Sequence, residues 1–150
     1  MQALENAPLQ IEIVTSCGTL ILNKRGQVIL CHVTGTNHWD LPKGVREPGE
    51  STLQAAKREL REETSLELDD ALFEEIGGFD YQKHKRLHLY KVRAPESLDS
   101  LGHLICKSYF SHHVTGAPTP EMDGFRWASR HEIRTLCTLI MAQQLLSLDW

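Results

Sequence analysis

The sequence predicts an α/β domain in which a mixed β-sheet lies between helices, and three observations carry that prediction. β-branched and apolar residues gather in short runs separated by Gly, Pro, Asn and Asp, as strands and their turns require. Two segments open with a capping-box signature and continue with apolar residues at helical spacing. The chain has 150 residues, 41% hydrophobic and 24% charged, which matches one ordinary globular domain with a continuous core. A single domain over residues 1–150 is therefore expected, because no repeat, low-complexity tract or linker divides the chain.

In chain order, residues 11–23 are rich in β-branched and apolar types, Lys24-Arg25-Gly26 supplies a turn, and 27–33 resume the pattern, predicting a β-hairpin. Residues 34–49 are rich in Gly, Pro, Asn and Asp and read as a loop, pinned to the core by Trp39 and Leu41. Loops anchored in this way often hold ligands. Ser51 then opens a helix that runs to about Thr64: its hydroxyl caps the first turn, Gln54 reaches back, and Leu53, Ala56 and Leu60 form the core stripe. Strands are expected near 74–79, 87–93, 104–110 and 124–128. Ser129 and Glu132 form the second capping box, and Ile133, Leu136, Ile140 and Leu145 give one closing helix its apolar face.

Charge and composition narrow the partners. A net charge of −4 argues against extended contact with a nucleic-acid duplex, which depends on many Lys and Arg side chains neutralising phosphates. Apolar runs such as 19–22 and 136–142 fall far short of the roughly 20 residues that span a bilayer, so no membrane partner is expected. Residues 1–9 lack the basic start and apolar run of a signal peptide. Cys17, Cys31, Cys106 and Cys137 are widely spaced, form no CxxC pair, and read as reduced thiols of a cytoplasmic protein. No HExxH motif appears, and no Ser or Cys lies in a nucleophile elbow, which leaves attack by water as the simplest chemistry.

The chemistry concentrates between Gly44 and Leu66, GVREPGESTLQAAKRELREETSL. On a helix, Glu59, Glu62 and Glu63 lie within a sector of about 100°, because positions three and four apart are neighbours. Each like-charge pair costs roughly 0.2 to 0.5 kcal/mol unless something positive sits between them, and a bound cation removes the conflict. Hard divalent ions such as Mg²⁺ or Mn²⁺ suit such oxygen ligands, and substrate phosphates commonly complete their coordination. On this reading Arg58 points away from the carboxylates and reaches back to Glu50, while Gly44 and Gly49 free the loop backbone to turn a carbonyl such as that of Lys43 inward.

These residues resemble the Nudix box: Gly, five residues, Glu, seven residues, then Arg-Glu-apolar-any-Glu-Glu-any-Gly-apolar. One position departs, Ser65 standing where the family has Gly. That position ends the helix in a left-handed conformation, which costs a residue other than Gly roughly 1 kcal/mol. The order of elements is also like the Nudix α/β/α sandwich with its mixed sheet between helices. The resemblance implies that Glu59, Glu62 and Glu63 bind Mg²⁺ or Mn²⁺, that the Lys43 carbonyl adds a ligand, and that Gly44, Glu50 and Arg58 brace the site. It makes Glu59 the first candidate for general base. Some family members use an acid in the loop before the last strand, where Glu121 and Asp123 stand, and Glu121 is the second candidate.

The lead-in Trp39-Asp40-Leu41-Pro42-Lys43-Gly44 is similar to that of Nudix enzymes acting on dinucleoside polyphosphates. Such a substrate needs cations for its phosphates and a flat ring for its base, and Trp39, Lys43, Tyr81, Lys85 and Tyr109 are the candidates. The expected activity is a pyrophosphohydrolase reaction on a nucleotide or another small phosphoanhydride. Alternatives within the family are an RNA 5′ end, a nucleoside triphosphate or a nucleotide sugar; outside catalysis, a nucleotide-binding Nudix module remains open. The residues leave oligomeric state undetermined.

Overall fold

The computed structural model describes residues 11–150, so the reading of residues 1–9 lies outside the described residues. In chain order the elements are β1 (Val14–Leu22), β2 (Val28–Val33), β3 (Trp39–Asp40), β4 (Lys43–Val45), α1 (Thr52–Thr64), β5 (Glu74–Gln82), β6 (Lys85–Arg93), β7 (Tyr109–Ser111), β8 (Pro118–Pro120), β9 (Met122–Ala128), α2 (Ile133–Leu136) and α3 (Leu139–Leu146). None of these helices is long and apolar enough to cross a membrane.

β1 is the centre of the mixed sheet. Its residues from Ser16 to Ile21 are all buried, as a strand covered on both faces must be. β6 runs parallel to it over its whole length, and β5 pairs antiparallel with β6. On the other side β4 pairs with Ser16, Cys17 and Gly18, while Leu22 meets Val28 of β2. The turn between β1 and β2 is closed by Asn23, whose side-chain oxygen accepts from the N–H groups of Arg25 and Gln27, each at 3.0 Å. β2 then carries β3 and β9, both antiparallel.

Successive side chains of a strand face opposite ways, and the core divides accordingly. Cys17 and Ile21 face α1, packing in groups that include Ala55, Ala56 and Leu60. Leu20 faces the other way with Leu30, Leu87 and Leu89, against Ile133, Met141, Ala142 and Leu145 of α2 and α3. The predicted sandwich of a mixed sheet between helices is thus observed.

Three local expectations are corrected. Residues 34–49 are not all loop, because β4 closes the open edge of β1 and β3 extends β2. Of 104–110 only the last two residues are strand, within β7, which pairs with β8 in a separate two-stranded sheet. The alternation was real, since Leu104 and Cys106 are buried and Ile105 is exposed. However, the N–H groups of Ile105 and Lys107 donate to the Thr64 and Glu62 carbonyls at the end of α1, at 3.2 and 2.6 Å, and satisfy helix-end acceptors instead of a sheet. The closing helix is broken at Cys137, which is extended; Thr138 caps α3 afresh by accepting from the Met141 N–H at 3.3 Å. The break shifts the phase, so Met141 and Leu145 are buried and Ile140 is not.

Candidate active site

The capping box of α1 forms as predicted: Ser51 accepts from the Gln54 N–H, and the Gln54 side chain accepts from the Ser51 N–H. This fixes the start of the helix against the loop that carries Glu50. Arg58 binds that loop, donating to both Glu50 oxygens at 2.7 and 2.9 Å and to the Val45 carbonyl at 3.1 Å. Its hydrogen bonds hold the Glu50 carboxyl down to about 2. Arg58 does not turn away from the carboxylate sector as expected: it also donates to Glu59 at 2.8 Å and Glu62 at 3.3 Å. A guanidinium has five N–H donors in a fork, enough to serve both sides of the helix start at once. It supplies part of the positive charge that the three glutamates demand.

Gly44 has a reason other than backbone freedom. A Cβ there would lie 2.1 to 2.3 Å from the Glu59 carboxylate, so the acid occupies the space a side chain would need. Gly44→Ala is therefore expected to displace Glu59 from the site. We predict a loss of at least about tenfold in kcat with a stability change below about 1 kcal/mol, read by steady-state rates beside a thermal melt. Glu59 retains 13% side-chain exposure, and burial raises its carboxyl above the ordinary value despite Arg58.

Glu63 lies deepest, 2% exposed on the sheet side of α1. Burial pushes its carboxyl up to about 9, opposed by a hydrogen bond from the Lys43 N–H at 2.7 Å and reinforced by Glu59. That bond follows from strand register. The Thr19 N–H donates to the Pro42 carbonyl and the Arg46 N–H to the Thr15 carbonyl. Pairs alternate along an antiparallel ladder, so the Gly18–Lys43 pair between them is not hydrogen-bonded, and both backbone polar groups of Lys43 face away from β1. The Lys43 carbonyl thus faces the same side as its N–H, towards the helix acids.

Glu62 is the most open of the three acids, at 40% side-chain exposure. Glu121 stands half-buried where β8 gives way to β9, close enough for its charge to be felt at Glu59. Asp123 turns elsewhere and pairs with His32. Among the described residues no three His, Cys, Asp or Glu side chains converge into a ready metal cage. The reason is visible in the contacts: Arg58 holds Glu59 and Glu62, and the Lys43 N–H holds Glu63. The donor set nonetheless suits a hard divalent ion, which keeps several waters and takes substrate oxygens instead of needing a closed cage.

Of the other predicted residues, Lys43, Tyr81 and Lys85 come together. The Lys43 ammonium lies 3.1 Å from Asp40 and 5.9 Å from the centre of the Tyr81 ring, and its charge adds to burial in lowering the pKa of Lys85. Asp40, which sequence reading did not single out, is the counter-ion three residues ahead of Lys43. Trp39 is half-buried, with the His32 ring at 5.1 Å and the Arg126 guanidinium at 5.7 Å. Tyr109 is 57% exposed on the β7–β8 hairpin, paired with Pro120 beside Glu121. A cleft of about 330 Å³ lined by Asn23, Lys24 and Trp127 lies near the opposite end of β1 and includes none of these residues.

Residues 13–145 match the family model of the NUDIX domain. An RNA pyrophosphohydrolase from Photorhabdus laumondii subsp. laumondii is 35% identical over 119 residues, which are 75% of this chain and 66% of that relative. The chain therefore spans just under two thirds of the length of that relative. Among solved structures, the NUDIX domain of Shewanella oneidensis NrtR, complexed with ADP ribose, superposes with a TM-score of 0.65 at 12% identity over 97% of this chain and 93% of that one. A C. elegans Ap4A hydrolase superposes with a TM-score of 0.52 at 18% identity over 88% and 90% of the two chains. At these identities the structures speak for the fold alone. With its box on α1, its sandwich fold and a family match that runs through nearly the whole described chain, this protein belongs to the Nudix family of hydrolases.

Proposed function

We propose that this protein hydrolyses a phosphoanhydride bond of a dinucleoside polyphosphate, using Mg²⁺ or Mn²⁺ held by Glu59, Glu62, Glu63 and the Lys43 carbonyl. The observation that carries the proposal is the placement of the Lys43 backbone against Glu63, which brings the lead-in loop and the acidic helix into one site. A divalent ion bound there supplies charge neutralisation at the phosphate oxygens and lowers the pKa of a water. Glu59 takes the proton from the attacking water, with Glu121 the second candidate. Arg58 and Glu50 keep the helix and its preceding loop from shifting during the reaction. Lys43 and Lys85 offer cations to the remaining phosphates, and Trp39, Tyr81 and Tyr109 offer rings to a base.

The second reading, an RNA 5′ end, is favoured by the RNA pyrophosphohydrolase relative. Both substrates present a nucleoside 5′-polyphosphate to the same acids and differ in what lies beyond it. Four unbridged, buried cysteines support a reducing compartment, and we place the protein in the cytoplasm as a single domain. The deciding experiment is product release with Mg²⁺ from diadenosine tetraphosphate, 5′-triphosphate RNA, nucleoside triphosphates and nucleotide sugars. We expect kcat/KM to be highest for diadenosine tetraphosphate. Preference for the RNA would replace the substrate while keeping the site, and specific nucleotide binding without any cleavage would make the protein a binding module.

A further inference from the structure

Ser65, the departure from the box, ends α1 in the left-handed conformation that the family's Gly would adopt, with φ 68°. Its N–H donates to the Arg61 carbonyl at 2.9 Å, a bond any residue at this position makes. Its hydroxyl does something a glycine cannot, donating to the Ile105 carbonyl at 2.5 Å. Together with the Ile105 and Lys107 N–H bonds to Thr64 and Glu62, this stitches residues 105–107 to the last turn of the acidic helix. The stem continues into Ser108, whose carbonyl accepts from the Glu121 N–H at 2.8 Å, and the Glu121 carbonyl accepts from the Thr34 N–H at 3.0 Å. Glu121 is thus held between this stem and the β2–β3 loop.

We propose that Ser65 is a positioning residue whose hydroxyl clips the 105–108 stem to the end of α1 and so fixes where Glu121 stands relative to Glu59. The inference rests on the reading in which Glu121, the second candidate for general base, takes part in the proton transfer beside Glu59. Ser65 touches neither substrate nor reacting atoms; it acts through the stem. A serine in this conformation is strained, so the hydroxyl bond and the strain pull stability in opposite directions and a purely structural role would leave the kinetics unmoved.

The test compares Ser65→Gly, which removes the hydroxyl and the strain, with Ser65→Asn, which tolerates the left-handed region and keeps a side-chain donor. For Ser65→Gly the expected result is a Tm equal to or above wild type, kcat lowered about tenfold, KM within about twofold, and faster amide hydrogen exchange at Ile105 and Lys107. Ser65→Asn should recover most of the lost kcat. In a Glu121→Gln background Ser65→Gly should cost nothing further, because the two changes act on one group. Wild-type kcat in Ser65→Gly, or the same loss in both backgrounds, would overturn the positioning role, and unchanged amide exchange would overturn the clip itself. A wild-type protein that cleaves no phosphoanhydride defeats the reading of the site instead, and the exchange rates still decide the clip.

Discussion

Glu62→Gln is expected to lower kcat by about 1,000-fold, roughly 4 kcal/mol of transition-state stabilisation, while the protein stays folded. The two halves of this expectation come from different observations. Glu62 is 40% exposed, and its one described ion pair is a 3.3 Å contact to Arg58. Exposed pairs of this spacing contribute about 0.3 to 0.5 kcal/mol, so Tm should change by no more than a few degrees. Arg58 retains Glu50 and Glu59 when Glu62 is neutralised, and the helix start stays braced. The rate is expected to suffer because the amide keeps the size of the carboxylate and removes a charge that the proposed metal site needs. If Glu62 served only to pair with Arg58, activity would fall by no more than about twofold, the rate equivalent of a pair worth about 0.3 to 0.5 kcal/mol. Steady-state kinetics over a Mg²⁺ titration, alongside a thermal melt, separates the two.

Raising the pH should destabilise the metal-free protein, and Glu63 supplies the reason. Burial lifts its carboxyl from the ordinary 4.5 to about 9. Between those values the native state holds a proton that the unfolded chain has released. Stability is therefore full below 4.5 and is lost as pH rises towards 9, by up to about 1.4 kcal/mol per pH unit for one group. Glu50 acts in the opposite sense at the acid end: the Arg58 hydrogen bonds depress it to about 2, so its contribution is present above 4.5 and lost as pH falls. Urea denaturation of EDTA-treated protein at pH 5, 7 and 8.5 should show a falling midpoint, and Glu63→Gln should flatten that slope. Mg²⁺ should restore stability most at pH 8.5, because metal binding must displace the Glu63 proton. A midpoint independent of pH in the wild type would contradict the buried, protonated state of Glu63.

Much of the site was legible because its determinants are local. Ser51 and Gln54 announce the start of α1 within four residues, and the spacing of Glu59, Glu62 and Glu63 follows from helical periodicity alone. The β1–β2 turn was equally readable from its turn residues and the strands β5 and β6 from their residue pattern, though their pairing and their extension to the turn between Gln82 and Lys85 were not. What stayed hidden depends on contacts distant in sequence. That Glu63 is nearly inaccessible, while Glu62 one residue earlier is open, follows from how α1 leans on β1 and β4. The reach of Arg58 to Glu59 and Glu62 as well as Glu50 depends on the loop folding back over the helix start. Gly44 looked like a backbone hinge, yet it is the Glu59 carboxylate lying where a Cβ would be that calls for glycine. Residues 104–108 carried the alternation of a strand, and nothing local reveals that their N–H groups end on helix carbonyls. The break at Cys137 was masked by an apolar pattern that continues through it, and the cap at Thr138 was not singled out.

The most direct test of metal-dependent hydrolysis at the α1 acids is the rate of product formation from diadenosine tetraphosphate by the wild-type protein with Mg²⁺, after EDTA, and after Mg²⁺ is restored. We expect turnover with Mg²⁺, loss of nearly all of it in EDTA, and full recovery on adding the ion back. Cleavage that persists undiminished in EDTA would contradict the assignment of Glu59, Glu62 and Glu63 as the metal-holding centre of this enzyme.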